Sequence, residues 1–195
     1  YGPQVQNAFR KLPIDKTKMI LPLHGPIFRK DLGYAIEKYK KWSTYTPEEK
    51  GVLIVYGTMY GDSEAAAEIL AGKLADRGVK EIKVYDVSST DKDLLVSEAF
   101  RLSNIVLVAP TYNASLFPGI EEFILDIQRM NLQNRTFTLV QNGTWAPLSN
   151  KLMKEKLSLL KNISFTESEL TITSALKDKD EESLDKISEE IKATL

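Results

Sequence analysis

The chain has 195 residues and a net charge of −1, which fits one domain of ordinary size plus a short extra segment. It contains no cysteine, which excludes disulfides, thiolate metal sites and iron–sulfur clusters and favours a reducing, cytoplasmic compartment. Its longest apolar runs fall far short of the ~20 residues of a membrane span, so no membrane partner is expected. No signal-peptide pattern is visible in the sequence.

Residues 1–50 differ in charge from the rest of the chain, with 10 Lys and Arg against 5 Asp and Glu. This excess indicates either a solvated surface or a docking surface for an acidic partner. Nucleic-acid binding is not expected, because the basic residues lack interleaved aromatics and the rest of the chain is acidic. The pattern predicts a short strand over 18–22, a turn over 24–26, a basic amphipathic helix over 31–42 and a polar linker over 43–50.

From residue 51 onward, strand and helix signals alternate along the chain. This alternation predicts an α/β fold with a parallel sheet covered by helices on both faces. In such sheets, ligands bind at the carboxyl ends of the strands. The predicted strands are 51–56, 81–87, 104–109, 136–141 and 168–173, and the predicted helices are 63–77, 91–102, 118–130, 147–160 and 179–193.

The loop after the first strand, here called the first loop (58–63), has the composition of an anion site. It follows a buried apolar strand, precedes a helix, and consists of Thr58, Met59, Tyr60, Gly61, Asp62 and Ser63. Backbone N–H groups and the helix dipole at such a position attract phosphate. The spacing excludes an ATP-type phosphate loop and a dinucleotide fingerprint. The alternative is a helix N-cap by Asp62 or Ser63 without a ligand.

Two further loops add a flat aromatic slot beside this phosphate site. The second loop (109–118) contains Pro110, Thr111, Tyr112 and Asn113, and the third loop (141–147) contains Asn142, Gly143, Thr144 and Trp145. Asn113 tolerates left-handed backbone geometry, and Pro118 suits the first turn of a helix. A phosphate loop next to Tyr112 and Trp145 predicts a mononucleotide such as FMN.

These loops resemble those of the A-type flavoproteins, also called flavodiiron proteins. The segment Tyr-Gly-Thr-Met-Tyr-Gly-Asp-Ser-Glu at 56–64 is similar to the family's Gly-Thr-Met-Tyr-Gly-Asn-Thr. The resemblance implies a flavodoxin-like three-layer sandwich over 51–195, with a five-stranded parallel sheet of order 2-1-3-4-5. It further implies that the first loop wraps the FMN phosphate, that Tyr112 and Trp145 flank the isoalloxazine ring, and that the other named loop residues complete the site.

The resemblance extends to the N-terminal segment. Residues 23–26 and the helix after them resemble the C-terminal edge of the family's metallo-β-lactamase-like domain, so 1–46 is expected to be a remnant of that domain plus a linker. His24 matches one histidine ligand of the family's diiron site. It is the only histidine in the chain, and one imidazole cannot hold two irons, so no metal is expected.

The expected function is that of an FMN-binding electron-transfer domain with no catalytic residues of its own. The resemblance implies a redox donor such as rubredoxin or an NADH-dependent reductase, and a diiron oxygen or nitric oxide reductase domain as acceptor, on a longer chain. One alternative is a stand-alone NAD(P)H-dependent reductase of quinones or other small acceptors. Another is a docking remnant without flavin. The apolar residues of 1–50 also predict a homo-oligomer.

Overall fold

Strands and helices alternate from residue 49 onward, as the sequence pattern predicts. The computed structural model describes residues 1–195. The helices are α1 (Gly2–Lys11), α2 (Leu32–Ser43), α3 (Asp62–Asp76), α4 (Lys92–Arg101), α5 (Pro118–Arg129), α6 (Ser149–Leu157) and α7 (Asp178–Ala193). The strands are β1 (Glu49–Tyr56), β2 (Ile82–Asp86), β3 (Leu102–Tyr112), β4 (Ser115–Leu116), β5 (Thr136–Asn142), β6 (Ser164–Phe165) and β7 (Leu170–Ile172).

The sheet is built on β1, which pairs in parallel with β2 on one side and β3 on the other. β3 pairs with β5, and β5 pairs with both β6 and β7, so the order is β2-β1-β3-β5-β6 with β7 also beside β5. β5 is the fourth predicted strand, and the predicted order 2-1-3-4-5 is confirmed, with the fifth strand divided into two short ones. The sequence pattern does not predict β4, a two-residue strand antiparallel to β3.

Alternate side chains of β1 point to opposite faces of the sheet, which gives the domain a core on each face. Leu53 and Val55 pack with buried side chains of α4, α5 and α6. Val52 and Ile54 pack with those of α3 and α7. The result is the predicted three-layer sandwich, in which the carboxyl ends of β1, β3 and β5 lie together at one edge of the sheet.

The segment before β1 forms two helices that pack against each other. The rings of Phe9 in α1 and Tyr39 in α2 lie 5.9 Å apart in an edge-to-face arrangement. The predicted helix over 31–42 is confirmed as α2, whereas the sequence pattern does not predict α1. The strand predicted over 18–22 is wrong. A single antiparallel bridge joins Ile20 and Phe28, because Pro22 donates no hydrogen bond that could extend the pairing.

The junction between this segment and the sheet is ordered by Arg135, whose side chain is only 2% exposed. Its guanidinium donates to the backbone carbonyl of Tyr45 at 2.9 Å, and to those of Ala99 at 2.9 Å and Phe100 at 2.6 Å near the end of α4. The predicted linker is therefore a short connection over 44–48 that is hydrogen-bonded to the domain.

No helix of the chain combines the length and the apolar character that crossing a membrane requires.

Candidate functional site

A cleft of about 300 Å³ opens at the carboxyl edge of the sheet, where the three predicted loops meet. Its volume lies at the lower end of the range typical of small-molecule sites. Nearly all of its lining residues are ones that the sequence predicts: Thr58, Met59, Tyr60, Asp62, Ser63, Pro110, Thr111, Asn142, Gly143 and Thr144, together with Ser174. The structure therefore brings the three loops together around one cavity.

The first loop leads into the N-terminus of α3, which lies at this cleft and has no side-chain cap. Gly61 stands at the N-cap position of α3 with a φ of 96°, a left-handed conformation that suits glycine, and no side chain caps the helix. Capping by Asp62 or Ser63 is thus a wrong prediction, because the helix already begins at Asp62. Thr58 Oγ1 instead accepts the N–H of Gly61 at 2.9 Å and closes the loop.

Several donors at this N-terminus have no acceptor within the chain. The backbone N–H groups of Asp62, Ser63 and Glu64 make no hydrogen bond to protein atoms. The Ser63 side chain is 2% exposed and lines the cleft, and its hydroxyl makes no hydrogen bond to the protein either. Free N–H groups at a helix N-terminus, with a hydroxyl beside them on the wall of a cleft, can bind a ligand that carries several acceptor atoms.

The second loop turns sharply after β3 and supplies only part of its predicted residues to the cleft. Pro110 and Thr111 line the cavity, whereas Tyr112 and Asn113 lie outside its lining. Asn113 has a φ of 48°, as its tolerance of left-handed geometry predicts. The Tyr112 ring is 36% exposed and meets the Phe117 ring edge-on at 6.4 Å.

The third loop crosses from the end of β5 to α6 and is anchored to β7 at its start. The Gly143 N–H donates to the carbonyl of Ile172 at 3.0 Å, and Asn142 Nδ2 donates to the carbonyl of Ser174 at 3.0 Å. Trp145 lies outside the lining of the cleft and is 89% exposed. A large aromatic ring so exposed on a loop bordering a cavity is free to stack on a ligand.

The N-terminus of α6 also lies beside the cleft, but its first N–H groups are already bonded within the protein. Thr111 Oγ1 accepts the N–H of Leu148 at 2.9 Å and that of Ser149 at 3.3 Å. The N–H of Asn150 donates to Gln141 Oε1 at 3.0 Å. The N–H groups of Leu148, Ser149 and Asn150 are thus bonded within the protein, whereas those at the start of α3 are free, so the first loop is the candidate anion site.

The cleft carries little formal charge. It contains no lysine, arginine or histidine, and Asp62 is its one charged lining residue. Behind the first loop, the Tyr56 hydroxyl donates to Glu64 Oε1 at 2.9 Å, and burial together with this carboxylate raises the pKa of Tyr56 to about 12. His24 is exposed in the N-terminal segment, and no three His, Asp or Glu side chains are grouped so as to hold a metal ion.

Sequence reasoning missed Ser174, which lines the cleft just beyond β7 and has a φ of 66°. The signal was available, because a strand is predicted over 168–173 and ligands contact the residues that follow parallel strands. The residue was overlooked because its neighbours carry neither the aromatic nor the glycine-rich composition of the other loops.

A known protein family matches the part of the sequence that contains the three loops. The family model described as Flavodoxin matches 54–146, which holds all three loops from their first to nearly their last residue. This stretch is therefore similar to flavodoxins in sequence as well as in fold. Flavodoxins bind FMN at the switch point between the first and third strands, where the cleft of this chain lies, so the match agrees with the predicted cofactor.

The proteins similar to this chain include longer redox proteins. A nitric oxide reductase of Moorella thermoacetica is 28% identical over 144 residues, which make up 74% of this chain and 36% of that protein. The fold matches rubredoxin oxygen:oxidoreductase of Desulfovibrio gigas with a TM-score of 0.90 at 23% identity, over 100% of this chain and 49% of that one. It matches the flavodiiron protein of Giardia intestinalis with a TM-score of 0.87 at 20% identity, over 99% and 49%. The predicted resemblance to the flavodoxin-like domain of flavodiiron proteins is confirmed, and the chain spans less than half of each of these relatives.

Proposed function

We propose that this chain is an electron-transfer domain that binds FMN in the cleft formed by the first, second and third loops. The observation that carries the proposal is the set of unpaired donors at the start of α3. Three consecutive backbone N–H groups without a protein acceptor and the Ser63 hydroxyl lie at this helix start, beside the cleft, where a phosphate could accept them.

The phosphate would be held by neutral donors rather than by cationic side chains. The positive end of the α3 dipole and the free N–H groups supply the favourable field. Asp62, whose side chain lines the same cleft without a hydrogen bond, opposes it. The site is thus suited to a phosphate held by many hydrogen bonds, and its affinity would depend on ionic strength.

The flavin ring would lie between the second and third loops. Tyr112 and Trp145 belong to the two loops that flank the cleft, although neither lines it, and Trp145 has most of its surface free to stack. Stacking an aromatic side chain on a flat heterocycle contributes about 1–3 kcal/mol. FMN supplies the redox chemistry, accepting and releasing electrons, while the protein sets its orientation and its access to partners.

We further propose that the acceptor is a diiron oxygen or nitric oxide reductase domain, and that the donor is rubredoxin or an NADH-dependent reductase. The Moorella relative is a nitric oxide reductase and the Desulfovibrio neighbour a rubredoxin oxygen:oxidoreductase, which supports this direction of electron flow. In this view residues 1–46 are the end of a metallo-β-lactamase-like domain plus a linker, and 51–195 are the FMN-binding domain. The exposed apolar side chains Leu21, Leu23 and Ile27 support that division, since they suit a surface covered by another domain or another copy.

The test is a titration of the purified chain with FMN and with riboflavin, followed by flavin fluorescence. FMN is expected to bind more tightly, because riboflavin lacks the phosphate. Ser63→Ala should reduce that preference, whereas Ser188→Ala, a fully buried serine of α7, serves as the matched control. Equal affinity for the two flavins would reject the phosphate site. Rapid NAD(P)H oxidation by the chain alone would favour a stand-alone reductase instead.

A further inference from the structure

The Thr111 hydroxyl connects the second loop to the far end of the third loop. It accepts the N–H groups of Leu148 and Ser149 at 2.9 and 3.3 Å, and it lies 3.0 Å from the Ser149 hydroxyl. A hydroxyl has two acceptor sites and one donor. Both acceptor sites are used by the N–H groups, so the Thr111 proton goes to Ser149 Oγ. The Thr111 hydroxyl therefore has no hydrogen bond left for a ligand, although the residue lines the cleft.

The third loop is held at its two ends and free in its middle. At its start, Gly143 donates to the carbonyl of Ile172 at 3.0 Å. At its end, Thr111 binds the N–H groups at the start of α6. Between these anchors lie Trp145, which is 89% exposed, and Ala146, which has a φ of 41°. Without the Thr111 anchor, this strained and exposed stretch would be tethered at one end only.

Packing reinforces the same contact. A Cβ atom on Gly143 would lie 3.1 Å from the Cβ of Pro147 and 3.5 Å from Thr111 Oγ1. The beginning of the loop, its last residue and the Thr111 side chain thus pack directly against one another. The position of Trp145 depends on this arrangement, because the indole itself makes no hydrogen bond with the rest of the chain.

We propose that Thr111 is a positioning residue: by capping α6 it fixes the third loop in the conformation from which Trp145 stacks on the flavin. The inference rests on the proposed function, since it assigns a role within the proposed FMN site. Thr111 acts through Trp145 and not through contact of its own hydroxyl with FMN. If losing the cap leaves about a fifth of the molecules with the loop in place, the apparent Kd for FMN rises about fivefold.

The experiment compares Thr111→Val with Thr111→Ser, which keeps the hydroxyl. Thr111→Val is expected to speed amide hydrogen exchange at Leu148 and Ser149 in the free protein and to raise the Kd for FMN about fivefold. Thr111→Ser should restore both. Thr166→Val is the matched control, because it removes a buried hydroxyl that bonds to Thr138 away from the cleft. Should Thr111→Val not fold, Thr111→Ala carries the same expectation.

A double-mutant cycle separates positioning from contact. In a Trp145→Ala background, Thr111→Val should cause no further loss of FMN affinity, because the side chain that it positions is gone. Fully additive losses would overturn the proposal, and so would unchanged exchange at Leu148 and Ser149. A wild-type protein that binds no FMN would instead reject the proposed function, while the exchange measurement on the free protein would still report whether Thr111 holds the loop.

Discussion

Replacing Trp145 with alanine is expected to weaken FMN binding about 5- to 150-fold while leaving the stability of the free protein almost unchanged. The side chain is 89% exposed, so its removal takes almost no apolar area out of the folded core. In the complex with FMN, the variant would lack a stacking interaction worth about 1–3 kcal/mol, which corresponds to the stated loss of affinity. A loss of FMN affinity without a loss of stability in this one variant would therefore be due to the missing stacking interaction.

The assay is a titration of FMN into Trp145→Ala, followed by flavin fluorescence, with the midpoint of urea unfolding measured in parallel. Trp145→Phe keeps an aromatic ring and should lose less affinity. Trp42→Ala removes the other tryptophan, which is 44% exposed on α2, and should bind FMN as the wild type does. Wild-type affinity and an unchanged flavin spectrum in Trp145→Ala would refute the stacking role and the assignment of the third loop.

Three further changes test the surroundings of the cleft. Asp62→Asn should tighten FMN, most at low ionic strength, because an unbonded carboxylate is removed from the phosphate site; weaker binding at every salt concentration would contradict this. Tyr56 keeps its proton up to about pH 12 in the folded protein but only to about pH 10 in the unfolded chain. The stability that this residue contributes is therefore complete below pH 10 and is lost as the pH rises to 12. Tyr56→Phe should flatten that part of the curve of unfolding free energy against pH, and an unaltered curve would assign the loss to other groups. Gly57→Ala should lower the free energy of unfolding by about 1–3 kcal/mol in urea, since its Cβ would lie 2.5 Å from a ring carbon of Phe117. Gly72→Ala, which meets no atom within 4 Å on α3, should be neutral or stabilising, and an equal loss in both variants would show that the Phe117 contact is not the cause.

The sheet order could be predicted because its central strands are unambiguous. The segment Val52–Val55 of β1 and the segment Ile105–Ala109 of β3 are continuous apolar runs, and both are completely buried. Such runs bounded by helical patterns are typical of parallel strands. The division of the last strand into β6 and β7 could not be predicted, since strands of two and three residues carry no periodicity.

The candidate site was predictable in its location and less so in its detail. Composition identified the first loop, because glycine and hydroxyl residues between a strand and a helix favour an anion site. Composition could not show that Gly61 would occupy the N-cap position and leave α3 without a side-chain cap, since that depends on a single backbone angle. Nor could it show that the Thr111 hydroxyl is used by α6, which begins 38 residues further along the chain.

The division of the final strand affects whether the edge of the sheet can pair with a strand of another molecule. An open edge with a long row of unpaired N–H and C=O groups can recruit a strand from another molecule. On one side of this sheet, β6 and β7 have two and three residues, and both are too short to serve as a template. On the other side, β2 has five residues with Lys83 in its sequence, a charge that discourages a foreign strand from pairing there. Both margins of the sheet are thus protected against the addition of strands, and any association between copies of this chain would use side-chain surfaces.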